Sequence, residues 1–263
     1  AVVDDAVELV KQMGAARASG FVNAVLRGLI RNGLDTGLPW RPADDDGAAW
    51  TRYISTALSQ PEWLTERMVR RHGPTGAEAW AAFSNAPAPL TVRVNTRRMP
   101  VDDARRQLES EGITTDLAPH APAALLVTSG NPMSSALHDL GAIALMDETS
   151  QLVGALAADA LSGTVLDACA APGGKTLILA SDLPDGSRVM AADRRPRRVT
   201  LLRRALRRYG LDDVPVVQHD LTQGVPFAGL DGVFVDAPCS GLGTIRRDPD
   251  IKWRRREADL GPL

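Results

Sequence analysis

The residues whose types and spacing could do chemistry lie in two short stretches, Thr164–Thr176 (TVLDACAAPGGKT) and Asp236–Gly241 (DAPCSG). The first reads as a short apolar strand, Val165 and Leu166, ending on Asp167. A turn of small residues follows, and a helix opens near Lys175. Such a turn presents unpaired backbone N–H groups at a helix start, where negative charge is favoured. Gly173 and Gly174 lack a Cβ and would let a ligand approach the backbone. Two loops compete, one for a nucleotide phosphate and one for S-adenosylmethionine. The phosphate loop needs G-x-x-x-x-G-K-[ST], and Cys169 stands where its first glycine belongs. The mismatch favours the sulfonium cofactor.

In the second stretch Asp236 ends a strand, and Pro238-Cys239 puts a thiol where an adenosylmethionine enzyme faces its methyl donor. Carbon 5 of a pyrimidine is too poor a nucleophile to accept a methyl group unaided. A thiolate adding at carbon 6 makes an enamine whose carbon 5 can attack a methyl sulfonium. An acid or a lysine near N3 steadies that adduct, and a base later removes the carbon-5 proton. Asp236 and Lys175, on adjacent loops, are the candidate polar pair, and the target base has to be unpaired or flipped. The competing reading makes Cys239 a small core residue, since a reactive thiol needs an accessible, electropositive site.

These loops need elements to hold them. A helix is expected from about Thr149 to Leu161, then the strand before the glycine loop. Next come a strand Arg188–Asp193, an arginine-rich helix Pro196–Tyr209, a strand Val214–Gln218 followed by His219-Asp220, and a strand Gly232–Val235 before Asp236. Apolar strands alternating with helices define a parallel, doubly wound sheet. Ligands of such sheets sit outside the carboxyl ends of the strands. Asp193, 19 residues beyond Gly174, stands where ribose hydroxyls are bound, and Asp220 where an adenine amino group could be held. A single Asp there would simply cap a turn. The set carries the argument.

Upstream, Ala1–Gly33 is helical in pattern, with Val22, Val25, Leu26, Leu29 and Ile30 recurring at helical spacing, as an ordinary buried helix would. Leu34–Asp46 reads as a linker. A helix with Pro61 in its first turn carries the stripe Trp63, Leu64, Met68 and Val69 and stops at Gly73-Pro74; Thr75 and Glu78 form a capping-box pattern for the next helix. Leu90, Val92 and Val94 alternate as a strand. A helix Val101–Glu111 and a strand Leu125–Thr128 complete a small α/β unit.

At 263 residues, with 44% apolar and 24% charged residues, the chain has a globular composition. Its apolar runs are too short for a membrane helix and no signal peptide is visible, so a cytoplasmic protein is expected. Two cysteines without C-x-x-C spacing and four scattered histidines suggest no metal site. The net charge of −2 conceals 14 Lys/Arg against 7 Asp/Glu between Arg194 and Arg256. Such a local excess suits a polyanion, although arginines on a helix are usually a solvated face.

With DACAAPGGKT and DAPCSGLGTIRRDPDIKW both in view, the chain resembles the Fmu/Sun-type (RsmB-like) family of rRNA cytosine-C5 methyltransferases. The resemblance implies an α/β fold, with a Rossmann-like class I methyltransferase sheet preceded by a small α/β RNA-binding unit and the end of an all-helical NusB-like domain. The implied partition is 1–35 NusB-like, 36–58 linker, 59–146 small RNA-binding unit and 147–263 methyltransferase domain, C-terminally incomplete. It implies S-adenosylmethionine contacts from Cys169, Ala170, Ala171, Pro172, Gly173, Gly174 and Lys175, and from Asp193, Asp220 and Asp236. RNA, with small-subunit rRNA the expected kind, is the implied partner of a monomer. In that family the thiol attacking carbon 6 belongs to a later Thr-Cys-Ser-type motif, and the Pro-Cys thiol, here Cys239, assists product release. This sequence holds no such motif, so a natural chain continuing past Leu263 is expected, and little activity from residues 1–263 alone. A P-loop ATPase, with Lys175-Thr176 on phosphate and Asp236 on magnesium, and an RNA-binding module without catalysis are the alternatives.

Overall fold

The computed structural model describes residues 2–33, 37–224 and 227–261. They form two compact units, Ala1–Pro87 with Ser240–Leu263, and Ala88–Cys239. The expected boundaries at 59 and 147 are not where the units divide.

In the first unit the stretch Ala1–Gly33 is two helices, α1 (Val2–Gln12) and α2 (Ser19–Asn32), because Gly14 with φ +80° turns the chain between them. The stripe expected to be buried is not: no residue of either helix is buried, and Ile30 is 66% exposed. Two helices packed on each other cannot enclose a stripe this wide. Of the expected linker 36–58, Thr36 lies outside the described residues, as do Leu34 and Asp35 of the stretch Leu34–Asp46. The rest contains α3 (Gly47–Ala57), started by the Asp46 carboxylate accepting from Ala48 N. Trp50 and Ile54 of α3 are buried against Ala77 and Ala81 of α4 (Glu62–Asn85), so this stretch is core rather than connection. Helix α4 breaks at Gly73 (φ +72°), before Pro74, and resumes. Glu78 is not a capping-box residue. Its carboxylate accepts from Arg41 and from the Tyr53 hydroxyl, and the Arg41 guanidinium holds its pKa below the usual carboxylate range.

The second unit begins with a four-stranded antiparallel sheet, order β2-β3-β1-β4: β1 (Leu90–Val94), β2 (Thr114–Leu117), β3 (Ala124–Ser129) and β4 (Ile143–Leu145). Helix α5 (Val101–Ser110) joins β1 to β2, and α6 (Ala136–Asp139) precedes β4. Val92, Val94, Leu125 and Ile143 bury one face of the sheet against Ala104 and Leu108 of α5. Strands β2 and β4 have only four and three residues, too few for alternation to reveal them.

Helix α7 (Glu148–Ala160) leads into the second sheet, whose strands are all parallel in the order β7-β6-β5-β8: β5 (Thr164–Asp167), β6 (Arg188–Asp193), β7 (Val216–Gln218) and β8 (Gly232–Phe234). Helix α8 (Gly174–Asp182) follows β5, and α9 (Pro196–Tyr209) follows β6. Val199, Leu202, Leu206 and Tyr209 are the buried face of α9, which ends on Gly210 in the left-handed region. Central β5 is flanked on both edges, which buries Val165 and Leu166 completely. Strand β7 begins at Val216, two residues later than expected, and β8 ends one residue earlier, at Phe234.

The two sheets of this unit share packing. Ala144 of β4 belongs to the same core as Leu177, Leu202 and Leu206. Asn95, fully buried, donates to the carbonyl oxygens of Gly141 and Tyr209, each at 3.0 Å. At that seam a Cβ on Gly141 would lie 1.9 Å from the Arg208 carbonyl oxygen, and φ is +67° there. Gly141→Ala is therefore expected to destabilise this unit by about 2–4 kcal/mol, read by urea unfolding. Asn95→Ala, which removes the side-chain donor of the Gly141 carbonyl and leaves the Tyr209 carbonyl only the longer bond from Arg98 Nε (3.3 Å), is expected to cost about 1–3 kcal/mol in the same measurement.

Candidate active site

The parallel register sets Asp167 of β5 opposite Ala191 of β6 and Phe234 of β8. Asp193 and Asp236 each lie two residues beyond that level, so three carboxylates gather at one end of the sheet. After β5 the chain turns sharply: Ala170 N donates to Ala192 O (2.9 Å) and Gly173 N to Ala170 O (2.8 Å). Gly173, at φ +109°, then starts α8. The glycines have a packing cause besides ligand approach. A Cβ on Gly174 would lie 2.3 Å from Met146 Cε, and one on Gly173 would lie 3.0 Å from Leu202 Cδ1. Ala170 and Ala171 are likewise buried, while Pro172 is exposed.

From the first turn of α8, Lys175 Nζ reaches Asp236 Oδ2 at 2.7 Å. This contact joins the two sequence motifs. The next residue, Thr176, turns inward, and its hydroxyl donates to Asp167 Oδ2 at 2.7 Å. Asp167 Oδ1 is buried and has no hydrogen-bond partner among the described residues. Burial pushes the Asp167 pKa up to about 6, and the Asp236 and Asp193 charges add to this, while the Thr176 bond and the Lys175 charge oppose it. The Cys169 thiol is pushed up by burial and then by the charges of Asp193 and Asp167, which makes it a poor thiolate.

Asp193 is nearly buried. Its Oδ1 accepts from Arg195 N (3.0 Å), and its Oδ2 lies 3.3 Å from Arg198 Nε, whose guanidinium also donates to the Ala171 carbonyl. His219 N donates to the Asp193 carbonyl (3.2 Å), which ties the end of β7 to that of β6. Asp220 starts a short turn, with Oδ1 accepting from Thr222 N and Thr222 Oγ1; these bonds hold its pKa below the usual carboxylate range. Its Oδ2 is 3.6 Å from Arg194. Cys239, three residues past Asp236, is exposed, so the core-residue reading of this thiol fails.

Sequence reasoning gave no working role to Asp167, to Thr176 outside the P-loop alternative, or to Arg198. The first two had a signal, a carboxylate and a hydroxyl bracketing the glycine turn. Arg198 had none, because nothing in a run of arginines says which one faces inward. Among the described residues no cluster of His, Cys, Asp and Glu could hold a metal, and no helix is long and apolar enough to cross a membrane.

A parallel sheet with carboxylates at three neighbouring strand ends and a glycine turn opening a helix is the architecture of nucleotide-cofactor enzymes. Comparison with known proteins narrows the class. Residues 156–263 match the family model for 16S rRNA methyltransferase RsmB/F, residues 60–134 the RsmF/B-like ferredoxin-like domain, and residues 1–31 the NusB family. The probable ribosomal RNA small subunit methyltransferase B of Bacillus subtilis is 32% identical over the whole of this chain and 58% of its own length. Ribosomal RNA small subunit methyltransferase B of Vibrio cholerae gives the same identity, over all of this chain and 58% of its length. A solved methyltransferase homologue from Pyrococcus horikoshii superposes with a TM-score of 0.64 at 26% identity, covering 84% of this chain and 68% of that one. The chain belongs to the RsmB/RsmF methyltransferase family and spans a little under three-fifths of the length of these curated relatives.

An acid whose folded pKa lies above its unfolded value of 3.8 binds its proton more tightly when folded. Its contribution to stability is therefore full below about pH 4 and is lost as pH rises to about 6. In Asp167→Asn, which keeps an acceptor for Thr176, that loss is expected to vanish. Urea unfolding between pH 4 and 7 should show the variant gaining on the parent by about 3 kcal/mol across the window. A constant difference would mean that Asp167 does not titrate there.

Proposed function

We propose that this chain serves in the S-adenosylmethionine-dependent methylation of cytosine carbon 5 in RNA, with small-subunit rRNA as the substrate. The observation that carries the reading is the 2.7 Å contact of Lys175 with Asp236, which unites the glycine turn and the Pro-Cys loop at the carboxyl end of the sheet. The curated relatives are methyltransferases acting on small-subunit ribosomal RNA, which supports both reaction and substrate.

The donor set suits a ligand with an amino-acid end and a nucleoside end. The start of α8 and Lys175 favour a carboxylate, the unpartnered Asp167 Oδ1 invites a cationic donor, and Asp193 and Asp220 offer acceptors to hydroxyl and amino groups. When bound, S-adenosylmethionine supplies an electrophilic methyl group. Cys169 through Lys175, Asp193, Asp220 and Asp236 are assigned to holding it. Asp236 and Lys175 hold and move the proton at N3 of the cytosine, so that negative charge developing on the ring is met as it forms. Cys239, exposed beside them in the chain, is assigned to the thiol chemistry at the base, in the product-release role. Residues 1–35 are assigned to a NusB-like RNA-binding domain, 59–146 to the small RNA-binding unit and 147–263 to the methyltransferase domain. A monomer acting in the cytoplasm completes the reading.

Calorimetry tests the cofactor. S-adenosylhomocysteine is expected to bind, Asp193→Asn to weaken it at least tenfold while thermal melting shows the free chain still folded at the assay temperature, and ATP with magnesium to give no heat. Binding of ATP with magnesium in place of S-adenosylhomocysteine would overturn the reading.

A further inference from the structure

Helix α4 ends at Asn85, and the segment after Ser240, including helix α10 (Ile251–Arg254), belongs to the same compact unit. Two aromatic side chains here lie open to solvent: Phe83 is 61% exposed and Trp253 56%. Neither is needed to close a core, and both sit on rigid support. The Arg246 guanidinium lies 4.3 Å from the Phe83 ring centroid and donates to the carbonyl oxygens of Ala86 and Pro87. Lys252, 4% exposed, donates to Asn85 Oδ1 at 3.2 Å and lies 5.9 Å from the Trp253 ring centroid. Asn85 is fixed in turn by Gln60 Nε2 (3.0 Å) and by its own bond to Leu58 O (2.7 Å).

The charge of this patch is one-sided. From Ile245 to Arg256 there are six Lys/Arg against two Asp. Arg246 and Lys252 are satisfied by neutral oxygens, so their hydrogen bonds order them without cancelling their charge. Arg254, by contrast, pairs with Asp248. Desolvation pushes the Lys252 pKa down, which marks a cation held at some cost to stability. Exposed aromatic rings, Phe83 with the Arg246 guanidinium over one face, beside uncancelled positive charge are what a single-stranded nucleic acid binds, through base stacking and phosphate attraction.

We propose that Phe83 and Trp253 form a stacking platform for unpaired bases of the substrate RNA, with Arg246 and Lys252 supplying the attraction for its backbone. The inference rests on the reading of the substrate as RNA. An enzyme that takes a base out of its stack acts on strands whose neighbouring bases have also lost partners, and such bases gain from an aromatic surface. A duplex hides its base faces, so the platform discriminates against it.

The test is fluorescence anisotropy of the chain with a labelled cytosine-containing oligoribonucleotide, single-stranded and as a duplex. The single strand is expected to bind more tightly. Phe83→Ala and Trp253→Ala should each weaken its binding about tenfold, while Trp253→Phe stays within about threefold and duplex affinity is unchanged in all. Phe83→Leu, which keeps apolar bulk without a π face, should behave like the Ala variant and guards against a folding defect, which thermal melting reports separately. Unchanged single-strand affinity in the Phe83→Ala, Trp253→Ala double variant would overturn the platform. So would a parent chain with no preference for the single strand, or equal losses for strand and duplex. S-adenosylhomocysteine calorimetry on the same variants should show no change, so failure of the cofactor reading is seen independently.

Discussion

A carboxylate at the end of the central strand governs this molecule's site. Asp167 lies where β5 meets the turn, buried on all sides, and among the described residues the one hydrogen bond to its carboxylate comes from Thr176. A group so poorly hydrated demands that the first turn of α8 pack directly over the strand end. That demand fixes the rotation of the helix: with Thr176 pointing in, the preceding residue lies about 100° around the axis. Lys175 is thereby aimed at Asp236 on the neighbouring strand end. The Lys175–Asp236 pair is thus a consequence of the Thr176–Asp167 bond and of strand order β6-β5-β8.

The small antiparallel sheet is tied to this arrangement by polar groups that apolar patterning would place in water. Arg93, on the strand that alternates apolar and polar residues, is 3% exposed and bonds Asp182 at the end of α8 (2.9 Å). Asn95, Arg97 and Arg98 continue the seam, donating to carbonyl oxygens of Tyr209, Ala180 and Arg208. These are the carbonyls at helix ends that have no partner within their helix. A helix terminus can be buried only if something supplies donors, and here a row of arginines and one asparagine does so.

The same use of arginine recurs throughout. Arg203 donates to Val216 O, Arg246 to Ala86 O and Arg255 to Ser240 O. Much of the local basic excess therefore clamps main chain, and its charge remains because carbonyls are neutral. One residue type performs two tasks, ordering loops and leaving a local positive field. A charge count alone cannot separate them.

The parallel sheet and its helices were legible because their signals are local. Strand Arg188–Asp193 and helix Pro196–Tyr209 begin and end where apolar spacing, Pro196 and Gly210 place them. The candidate residues were legible because a glycine turn between a strand and a helix has few alternatives. Helix α3 was hidden by the Asp and Gly residues around its start, and only its burial against α4 gives it away. The exposed stripe of α2 shows the converse, since periodicity says which residues share a face and not what covers it. By itself the sequence determined the alternating strands and helices of the parallel sheet and the acidic residues that end or follow its strands, since propensity, turns and spacing act within a few residues. Only the tertiary structure decided that Thr176 meets Asp167, that Lys175 meets Asp236, and which arginine of the run turns to Asp193. Those pairings depend on strand order and helix rotation, which arise from contacts between residues far apart in the chain.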